Sequence, residues 1–240
     1  MFGVKDKKGA AIAKTAAAPR CIGIIMDGNR RWAKSHGLPP FEGHRRGYAK
    51  LKKLTGWAKE AGIPYIIVYA FSTENWNRTK EEVNYLMDLF RVMMGDLLAT
   101  ATTEKTRVIF IGQRERFAAD ILKGMRNVEE KTKNFKDLTL GVALSYGGRP
   151  EIVSVIRSLS PAEITNLDEE TFSKKLWTKD FPDPDMVVRT SGEKRTSGFL
   201  PWQSVYSELF FTDTYWPAFS KKEFFSLLAE YALRKRRRGV

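Results

Sequence analysis

The sequence has few cysteines and histidines and no long apolar run. Cys21 is the only cysteine among 240 residues, so an internal disulfide is impossible and a reducing compartment, by default the cytoplasm, is expected. Only His36 and His44 are present, which argues against a zinc site built on histidine. No apolar stretch approaches the roughly 18 to 20 residues that cross a bilayer, and the charged first residues are unlike a signal peptide. We therefore expect a chain that neither spans a membrane nor is exported through such a signal.

Acidic residues are also in short supply. The 41 Lys and Arg against 28 Asp and Glu give a formal net charge of +13 and a sequence pI near 9.8. A basic chain of this kind favours anions, which leaves nucleic acid, an acidic membrane surface and phosphorylated small molecules as partners. Apolar residues make up 42% of the chain, enough to build the core of a folded protein, which argues against wholesale disorder. Composition alone does not choose among the three anions.

Short apolar runs alternate with amphipathic stretches along the chain. This alternation predicts an α/β fold with a central, mostly parallel sheet of about six strands flanked by helices. No linker divides it, so residues 20–240 are expected to form one domain after a flexible lead-in over residues 1–19. In such sheets ligands bind beyond the carboxyl ends of the strands. The expected strands are 21–26, 65–71, 106–111, 138–145 and 186–188, and the expected helices are about 30–34, 45–60, 80–99, 114–133, 151–159, 168–176 and 221–234.

A polar turn follows the first expected strand. Gly28 before a helix start offers free backbone N–H groups and the positive end of the helix dipole to an anion, and Arg30 and Arg31 stand beside it. Asp27 suits a Mg²⁺ ion shared with a diphosphate, because magnesium prefers one or two carboxylates plus phosphate oxygens. The alternative is that Asp27 or Asn29 simply caps the helix.

Hydrogen-bonding groups and a cation follow the second expected strand. Ser72 and Asn75 can bind a ligand and Arg78 can bind phosphate. An alternative and compatible interpretation is a helix entry, with Thr79 and Glu82 forming a capping box. For Trp76 the alternative is ordinary core packing, which is the more frequent place for a tryptophan.

The segment 189–198 holds three cations, two glycines and four hydroxyls. It resembles a phosphate-binding loop but lacks the spacing of a P-loop, and the alternative is a solvated, flexible loop. His44, followed by two arginines, is a candidate proton or hydrogen-bond donor to a leaving phosphate, although a lone histidine is more often structural.

Together these segments resemble one family, the cis-prenyltransferases. The absence of a D-D-x-x-D motif separates the chain from the trans-prenyltransferases. The resemblance runs in the family's order from about Cys21 to the C-terminus. The matching stretches are 24–34, Gly43-His44, 69–78, 146–149, 189–195, 199–203, 206–211 and the basic end 234–239.

The resemblance implies Mg²⁺-dependent addition of isopentenyl diphosphate, in cis, to an allylic diphosphate such as farnesyl diphosphate. In bacteria the product is undecaprenyl diphosphate, a lipid carrier precursor for cell-wall synthesis. The resemblance also implies a homodimer and a hydrophobic tunnel between sheet and helices, in which the product grows. Candidates for the tunnel wall are Leu86, Phe90, Met93 and Leu97.

Carried over residue by residue, the resemblance assigns catalytic roles to Asp27, Asn75 and His44. It assigns Mg²⁺ to Asp27 and Glu208. Members of the family often give proton removal to the residue matching Asn75, but a neutral amide is a poor base at pH 7. We therefore expect Asn75 to position substrate and the departing diphosphate to take the proton. The substrate-binding residues implied are Gly28, Asn29, Arg30, Arg31, Trp32, His44, Ser72, Thr73, Glu74, Trp76, Arg78, Arg189, Arg195, Thr196 and Ser197.

Four positions depart from the usual pattern of the family, namely Pro40, Leu144, Gly198 and Pro201, and they bear on diphosphate affinity and product length rather than on the chemistry. Two other functions compete: a basic nucleic-acid-binding protein, motivated by the net charge and the basic run 234–238, and a non-catalytic prenyltransferase subunit. The retained aspartate and arginine motifs disfavour the second, and no nucleic-acid partner is expected. The lysines of the lead-in and the basic end could instead hold the enzyme at the anionic inner face of a membrane.

Overall fold

A computed structural model of the chain describes residues 18–235. The lead-in over 1–19 falls almost wholly outside these residues, as does the basic end after Lys235. The strands are β1 (Cys21–Ile25), β2 (Tyr65–Ser72), β3 (Thr106–Ile111), β4 (Leu138–Tyr146), β5 (Met186–Arg189) and β6 (Glu208–Phe211). The α-helices are α1 (Asn29–Ser35), α2 (Pro40–Glu60), α3 (Lys80–Thr103), α4 (Ala119–Thr132), α5 (Gly148–Ser158), α6 (Pro161–Thr165), α7 (Glu169–Ser173) and α8 (Lys221–Leu233). Short 3-10 helices span Thr73–Asn77, Arg114–Arg116 and Trp216–Ala218.

The six strands form one sheet in the order β3-β4-β2-β1-β5-β6, and every neighbouring pair is parallel. The predicted α/β class, parallel sheet and strand number are confirmed. All residues of β1, β4 and β5 are buried, as expected where both faces of a parallel sheet are covered. The residue pattern did not place β6, because this edge strand buries only Phe210 and so lacks a continuous apolar run.

The two faces of the sheet are covered differently. The larger core packs the sheet against α2, α3, α4 and α8. The smaller core on the other face centres on residues that include Tyr146, Phe181 and Phe199, mostly from outside the helices. Long helices therefore cover one face, and the carboxyl ends of β1, β2 and β5 open at one edge between the two cores.

Several helices differ from the sequence-based ones: Lys80–Thr103 ends four residues later than expected, Gly148–Ser158 starts three residues earlier, and Glu169–Ser173 ends three residues earlier. Helix α2 starts at Pro40 rather than near 45, since proline is well placed in the first turn of a helix. A 3-10 turn and an extended Phe117 precede α4, which begins only at Ala119. Helix α6 was not predicted; Ser160 caps it by accepting from the N–H of Glu163.

Helices α1 and α2 approach each other closely at two glycines. A Cβ at Gly43 would lie 2.0 Å from the carbonyl oxygen of Asn29, and one at Gly47 would lie 2.2 Å from its Oδ1. Side chains at either position would push the two helices apart. The motif Gly43-His44 therefore serves to dock the start of α1, and the residues around Asp27, against α2.

Candidate active site

A polar cleft of about 460 Å³ lies beyond the carboxyl ends of β1, β2 and β5. It brings together the three polar segments that the sequence analysis singled out, although they are far apart in the chain. The cleft is lined by Ile25, Met26, Asp27, Gly28, Asn29, Arg30, Arg31, His44, Tyr69, Ala70, Phe71, Ser72, Asn75, Arg78, Arg189, Arg195 and Ser197.

Asp27 is the carboxylate among these lining residues. Its Oδ2 accepts a hydrogen bond from Arg189 Nη2 at 2.8 Å and lies 3.2 Å from Arg31 Nη2. Burial opposes ionisation, but the hydrogen bond and charge of Arg189, together with Arg31, outweigh it and lower the pKa of Asp27. The side chain is therefore a carboxylate at neutral pH.

The alternative that Asp27 or Asn29 caps α1 is wrong. Gly28 occupies the N-cap position in a left-handed conformation, and no side chain caps the helix. Asp27 Oδ1 instead accepts from the N–H of Gly28, and Asn29 Nδ2 donates to the carbonyl of Met26. The first turn of α1 therefore has no side-chain cap, and its residues Asn29, Arg30 and Arg31 line the cleft, an arrangement suited to an anion.

The loop after β5 is ordered around Arg189, so the alternative of a solvated loop is wrong for its first part. The residue is only 5% exposed. Its Nη1 donates to Arg195 O at 2.7 Å and to Ser197 Oγ at 2.8 Å, while its Nη2 donates to Asp27. Thr190 Oγ1 also donates to the carbonyl of Asp27. One guanidinium thus ties the loop to the turn after β1.

Asn75 presents donors to the cleft. Its Oδ1 accepts from the N–H of Ser72 at 3.1 Å, in the 3-10 helix that follows β2. The group left for a ligand is the amide NH₂, which can donate hydrogen bonds but cannot take a proton. This geometry agrees with a positioning role.

Thr79 caps α3 by accepting from the N–H of Glu82, as predicted. The second half of the predicted capping box is wrong, however. The Glu82 carboxylate does not return to the helix start; it accepts from Arg78 Nη1 at 2.7 Å and from Arg30 Nη1 at 3.2 Å. Glu82 therefore connects two cations of the cleft.

His44 lies where the polar cleft meets an apolar cavity. Burial and the positive charge of Arg78 lower its pKa to about 4, so it is neutral at pH 7. Its Nε2 and the Oδ1 of Asn29 are buried without a hydrogen-bond partner among the described residues. Two polar atoms at this junction are thus free to bind a ligand or water.

The depressed pKa of His44 predicts a pH-dependent stability. Because the pKa of His44 in the folded chain lies below the ordinary 6.5, the unfolded chain binds a proton at this residue at a higher pH than the folded chain does. The contribution of neutral His44 to the stability of the folded state is complete above about pH 6.5 and is lost as the pH falls toward 4. We expect the free energy of unfolding in urea to fall between pH 7 and pH 5 by about 1–2 kcal/mol more in the wild type than in His44→Gln. His36→Gln, which removes an exposed imidazole, is the control; equal slopes for wild type and His44→Gln would contradict the prediction.

Two apolar cavities lie between the sheet and helices α2 and α3. The upper one, of about 80 Å³, shares Met26, Asn29, His44 and Ala70 with the polar cleft. The lower one, of about 20 Å³, shares Tyr48, Leu51 and Leu97 with the upper. Apolar space therefore adjoins the cleft as two small chambers that share lining residues, and a continuous tunnel stays a prediction.

The predicted wall residues mostly face these chambers. Phe90, Met93 and Leu97 line the upper cavity, and so does Leu144, one of the four unusual positions. Leu86 does not line either cavity and belongs to the buried core.

Six predicted site residues do not line the cleft. Trp32 stacks on His36, and the Trp76 ring packs on Phe71 while its Nε1 donates to Ser145 Oγ. Core packing is thus the better interpretation of Trp76. The others are Thr73, Glu74, Thr196 and Glu208.

Glu208 lies at the opposite end of the sheet from Asp27. Glu208 is in register with Met186 of β5, and Met186 is in register with Ile22 near the start of β1. Asp27, by contrast, follows the end of β1. Five residues of strand separate the two levels, about 16 Å. Glu208 instead forms an ion pair with Arg234 at 2.9 Å. In one chain the two carboxylates do not meet at a metal site.

The side chains of the cleft fit Mg²⁺ only if a bound ligand such as a diphosphate supplies further oxygen atoms. Residues 18–235 contain no group of three or more His, Cys, Asp or Glu that could hold a metal ion. Asp27 supplies one carboxylate among several cations, and magnesium is commonly bound by one or two carboxylates together with phosphate oxygens and water. The cleft therefore suits a magnesium diphosphate rather than the free ion.

Residue patterns missed several groups of the site. Tyr69, Ala70 and Phe71 line the cleft from the last part of β2. Glu193 joins Arg31 at 3.3 Å and Arg195 at 2.5 Å, as Glu82 joins Arg30 and Arg78. The alternation of cations and acids in the loop could have suggested such pairs. Across the described part of the chain, no helix is long and apolar enough to span a membrane.

Comparison with known proteins gives concordant matches over nearly the whole chain. The family model "Putative undecaprenyl diphosphate synthase" matches residues 25–239. An isoprenyl transferase of Thermotoga maritima is 46% identical over 225 residues, covering 92% of this chain and 97% of that protein. A tritrans,polycis-undecaprenyl-diphosphate synthase (geranylgeranyl-diphosphate specific) of Pyrococcus horikoshii is 41% identical over 234 residues, covering 94% and 89%.

A solved structure shares the fold. Lavandulyl diphosphate synthase from Lavandula x intermedia, in complex with dimethylallyl diphosphate, superposes with a TM-score of 0.88 at 32% identity. The match covers 93% of this chain and 99% of that one.

Proposed function

The chain belongs to the cis-prenyltransferase family of undecaprenyl diphosphate synthases, and from this premise we propose that it adds isopentenyl diphosphate units to farnesyl diphosphate in a Mg²⁺-dependent reaction. The proposed product is undecaprenyl diphosphate, the lipid carrier precursor for cell-wall synthesis. The Pyrococcus relative is specific for geranylgeranyl diphosphate by name, so the primer is a matter for direct comparison.

One observation carries the proposal: a cationic cleft opens directly into an apolar cavity. Four residues line both spaces. A substrate that fills them needs an anionic head and a hydrocarbon tail, which is the chemistry of a prenyl diphosphate. A nucleic acid has no hydrocarbon tail that would fill the apolar chamber, and proteins usually bind it through an extended basic surface.

The reaction breaks the bond between the allylic carbon and its diphosphate oxygen. The allylic carbon then bonds to the terminal alkene carbon of isopentenyl diphosphate, which loses a proton to leave the new double bond. Positive charge develops on carbon and negative charge on the leaving diphosphate. Arg30, Arg78 and the N–H groups at the start of α1 would stabilise that anion in place of water.

Mg²⁺ would be held by Asp27 together with diphosphate oxygens, and it would neutralise charge on the leaving group. Arg189 and Arg195 would hold the second diphosphate, since they lie on the other side of Asp27 from Arg78. Asn75 would orient a substrate with its NH₂ group, and the departing diphosphate would take the proton.

The test is synthesis by the purified chain from labelled isopentenyl diphosphate, an allylic diphosphate and Mg²⁺. Butanol-extractable polyprenyl product that disappears with EDTA is expected. Parallel reactions with farnesyl and geranylgeranyl diphosphate identify the primer, and product size gives the chain length. Absence of product with both primers would refute the proposal, and binding of labelled oligonucleotide would then favour the nucleic-acid alternative.

Leu97 lines both apolar chambers and should influence product length. Leu97→Ala is expected to join them and shift the product distribution by one or more isoprene units toward longer chains. Loss of a buried leucine destabilises a protein by about 2–5 kcal/mol, so Ile121→Ala, which removes a buried residue away from both chambers, is the matched control. Unchanged lengths in Leu97→Ala would contradict the role.

We also propose a homodimer located in the cytoplasm, at the inner face of the membrane that receives the product. Val205 and Tyr206 are each 71% exposed beside the edge strand β6, and Leu209 of that strand is 38% exposed. An apolar patch next to an open sheet edge is suited to a second copy.

Arg234 of the basic end is engaged with Glu208 and Glu230, so membrane contact would depend on other cations. Sedimentation equilibrium measures the dimer and liposome co-sedimentation the membrane contact.

A further inference from the structure

Glu82 bridges two arginines that come from different parts of the chain. Its Oε1 lies 2.7 Å from Arg78 Nη1 and its Oε2 lies 3.2 Å from Arg30 Nη1. Arg30 belongs to the first turn of α1, whereas Arg78 precedes α3. The Glu82 side chain is 20% exposed, so the bridge is partly shielded from solvent. Both arginines line the cleft while Glu82 stands behind them.

The Glu82 carboxylate offsets the repulsion between two neighbouring cations. Arg30 and Arg78 repel each other, and each disfavours a proton on His44, whereas Glu82 acts in the opposite sense. Burial lowers the pKa of Arg78, and the charge of Glu82 is the largest influence that opposes this. In the described part of the chain, the ion pairs within 4 Å of Arg30 and Arg78 are both with Glu82. Without it, neither guanidinium would have an ion pair among the described residues to offset their mutual repulsion.

We propose that Glu82 is a positioning residue, whose carboxylate holds the Arg30 and Arg78 guanidiniums side by side so that an allylic diphosphate meets a prearranged pair. The inference rests on the proposed function. A guanidinium donates through several N–H groups in a fixed plane, so each arginine can keep its bond to Glu82 and still donate to phosphate. Prearrangement reduces the side-chain entropy lost on binding.

Neutral substitution of Glu82 should weaken binding of one substrate only. In Glu82→Gln we expect the KM for the allylic diphosphate to rise about tenfold or more, the scale of a lost charge-assisted hydrogen bond. The KM for isopentenyl diphosphate and kcat at saturation should stay within about threefold of wild type, since Glu82 is paired with Arg30 and Arg78 and not with Arg189 or Arg195. Glu82→Asp, which keeps the charge on a shorter side chain, should recover part of the loss.

Glu81→Gln is the matched control. It changes the net charge equally in the same turn of α3, but Glu81 is exposed and should leave both KM values unchanged. Calorimetric titration with inorganic diphosphate gives a readout independent of turnover, and Glu82→Gln should bind it more weakly than Glu81→Gln does.

The outcomes separate the two proposals. An active Glu82→Gln enzyme whose allylic KM is unchanged or lower overturns the positioning role, a lower value meaning that Glu82 competes with diphosphate. Equal increases in both KM values, or failure of Glu82→Asp to recover any affinity, overturn it as well. Absence of product from the wild type instead refutes the proposed function.

Discussion

Asp27→Asn is expected to lower turnover at least about 1000-fold, a larger effect than that of any other single substitution in the cleft. The amide is nearly the same size, so the cleft keeps its shape. It loses the negative charge that pairs with Arg189 and Arg31 and that would hold Mg²⁺. Buried Arg189 is then left without an anionic partner, which costs about 3–5 kcal/mol when one member of a buried pair is removed.

Single-turnover product formation at saturating substrates and Mg²⁺ measures the chemical step, and urea unfolding measures stability. Asp180→Asn is the control, because that carboxylate is about half exposed and lies 4.0 Å from Arg107, away from the cleft. Turnover in Asp27→Asn within tenfold of wild type would show that the carboxylate is not needed for the reaction.

Arg189→Lys should lower kcat/KM for isopentenyl diphosphate about 100-fold or more while keeping the charge. One guanidinium donates to Asp27, to the carbonyl of Arg195 and to Ser197 Oγ. An ammonium on a flexible stem does not match the planar fork that reaches these three acceptors. The loop would loosen at Arg195 and Ser197, both of which line the cleft.

Steady-state kinetics with isopentenyl diphosphate varied at saturating farnesyl diphosphate test this. Arg157→Lys makes the same exchange at an exposed position outside the cleft and should behave as wild type. If Arg189→Lys retains its affinity for isopentenyl diphosphate, charge alone suffices and the loop geometry has no role in binding.

Local patterns predicted much of this molecule. Five strands were placed to within two residues at each end, because buried parallel strands are continuous apolar runs with sharp polar ends. The convergence of Asp27, Arg78 and Arg189 followed from a general property of parallel sheets. By contrast, β6 was missed because an edge strand with one buried residue has no such run.

The sequence predicted the positions of the elements along the chain better than it predicted which side chains contact each other. Spacing favoured a capping box between Thr79 and Glu82, yet Glu82 turns to Arg30, 52 residues away. The family pattern paired Glu208 with Asp27, although strand register puts them at opposite ends of the sheet. Side chains choose partners by tertiary distance, and neither periodicity nor motif order contains that distance.

The ion pair between Asp27 and Arg189 joins residues 162 positions apart. Closing so long a loop costs conformational entropy before the contact can stabilise it, so pairings of this kind are slow to form. During synthesis, the amino-terminal half of the cleft emerges from the ribosome long before β5 can dock beside β1. A nascent chain therefore has no functional cleft until most of its length has been translated, and premature termination anywhere before residue 189 yields a protein without a working site.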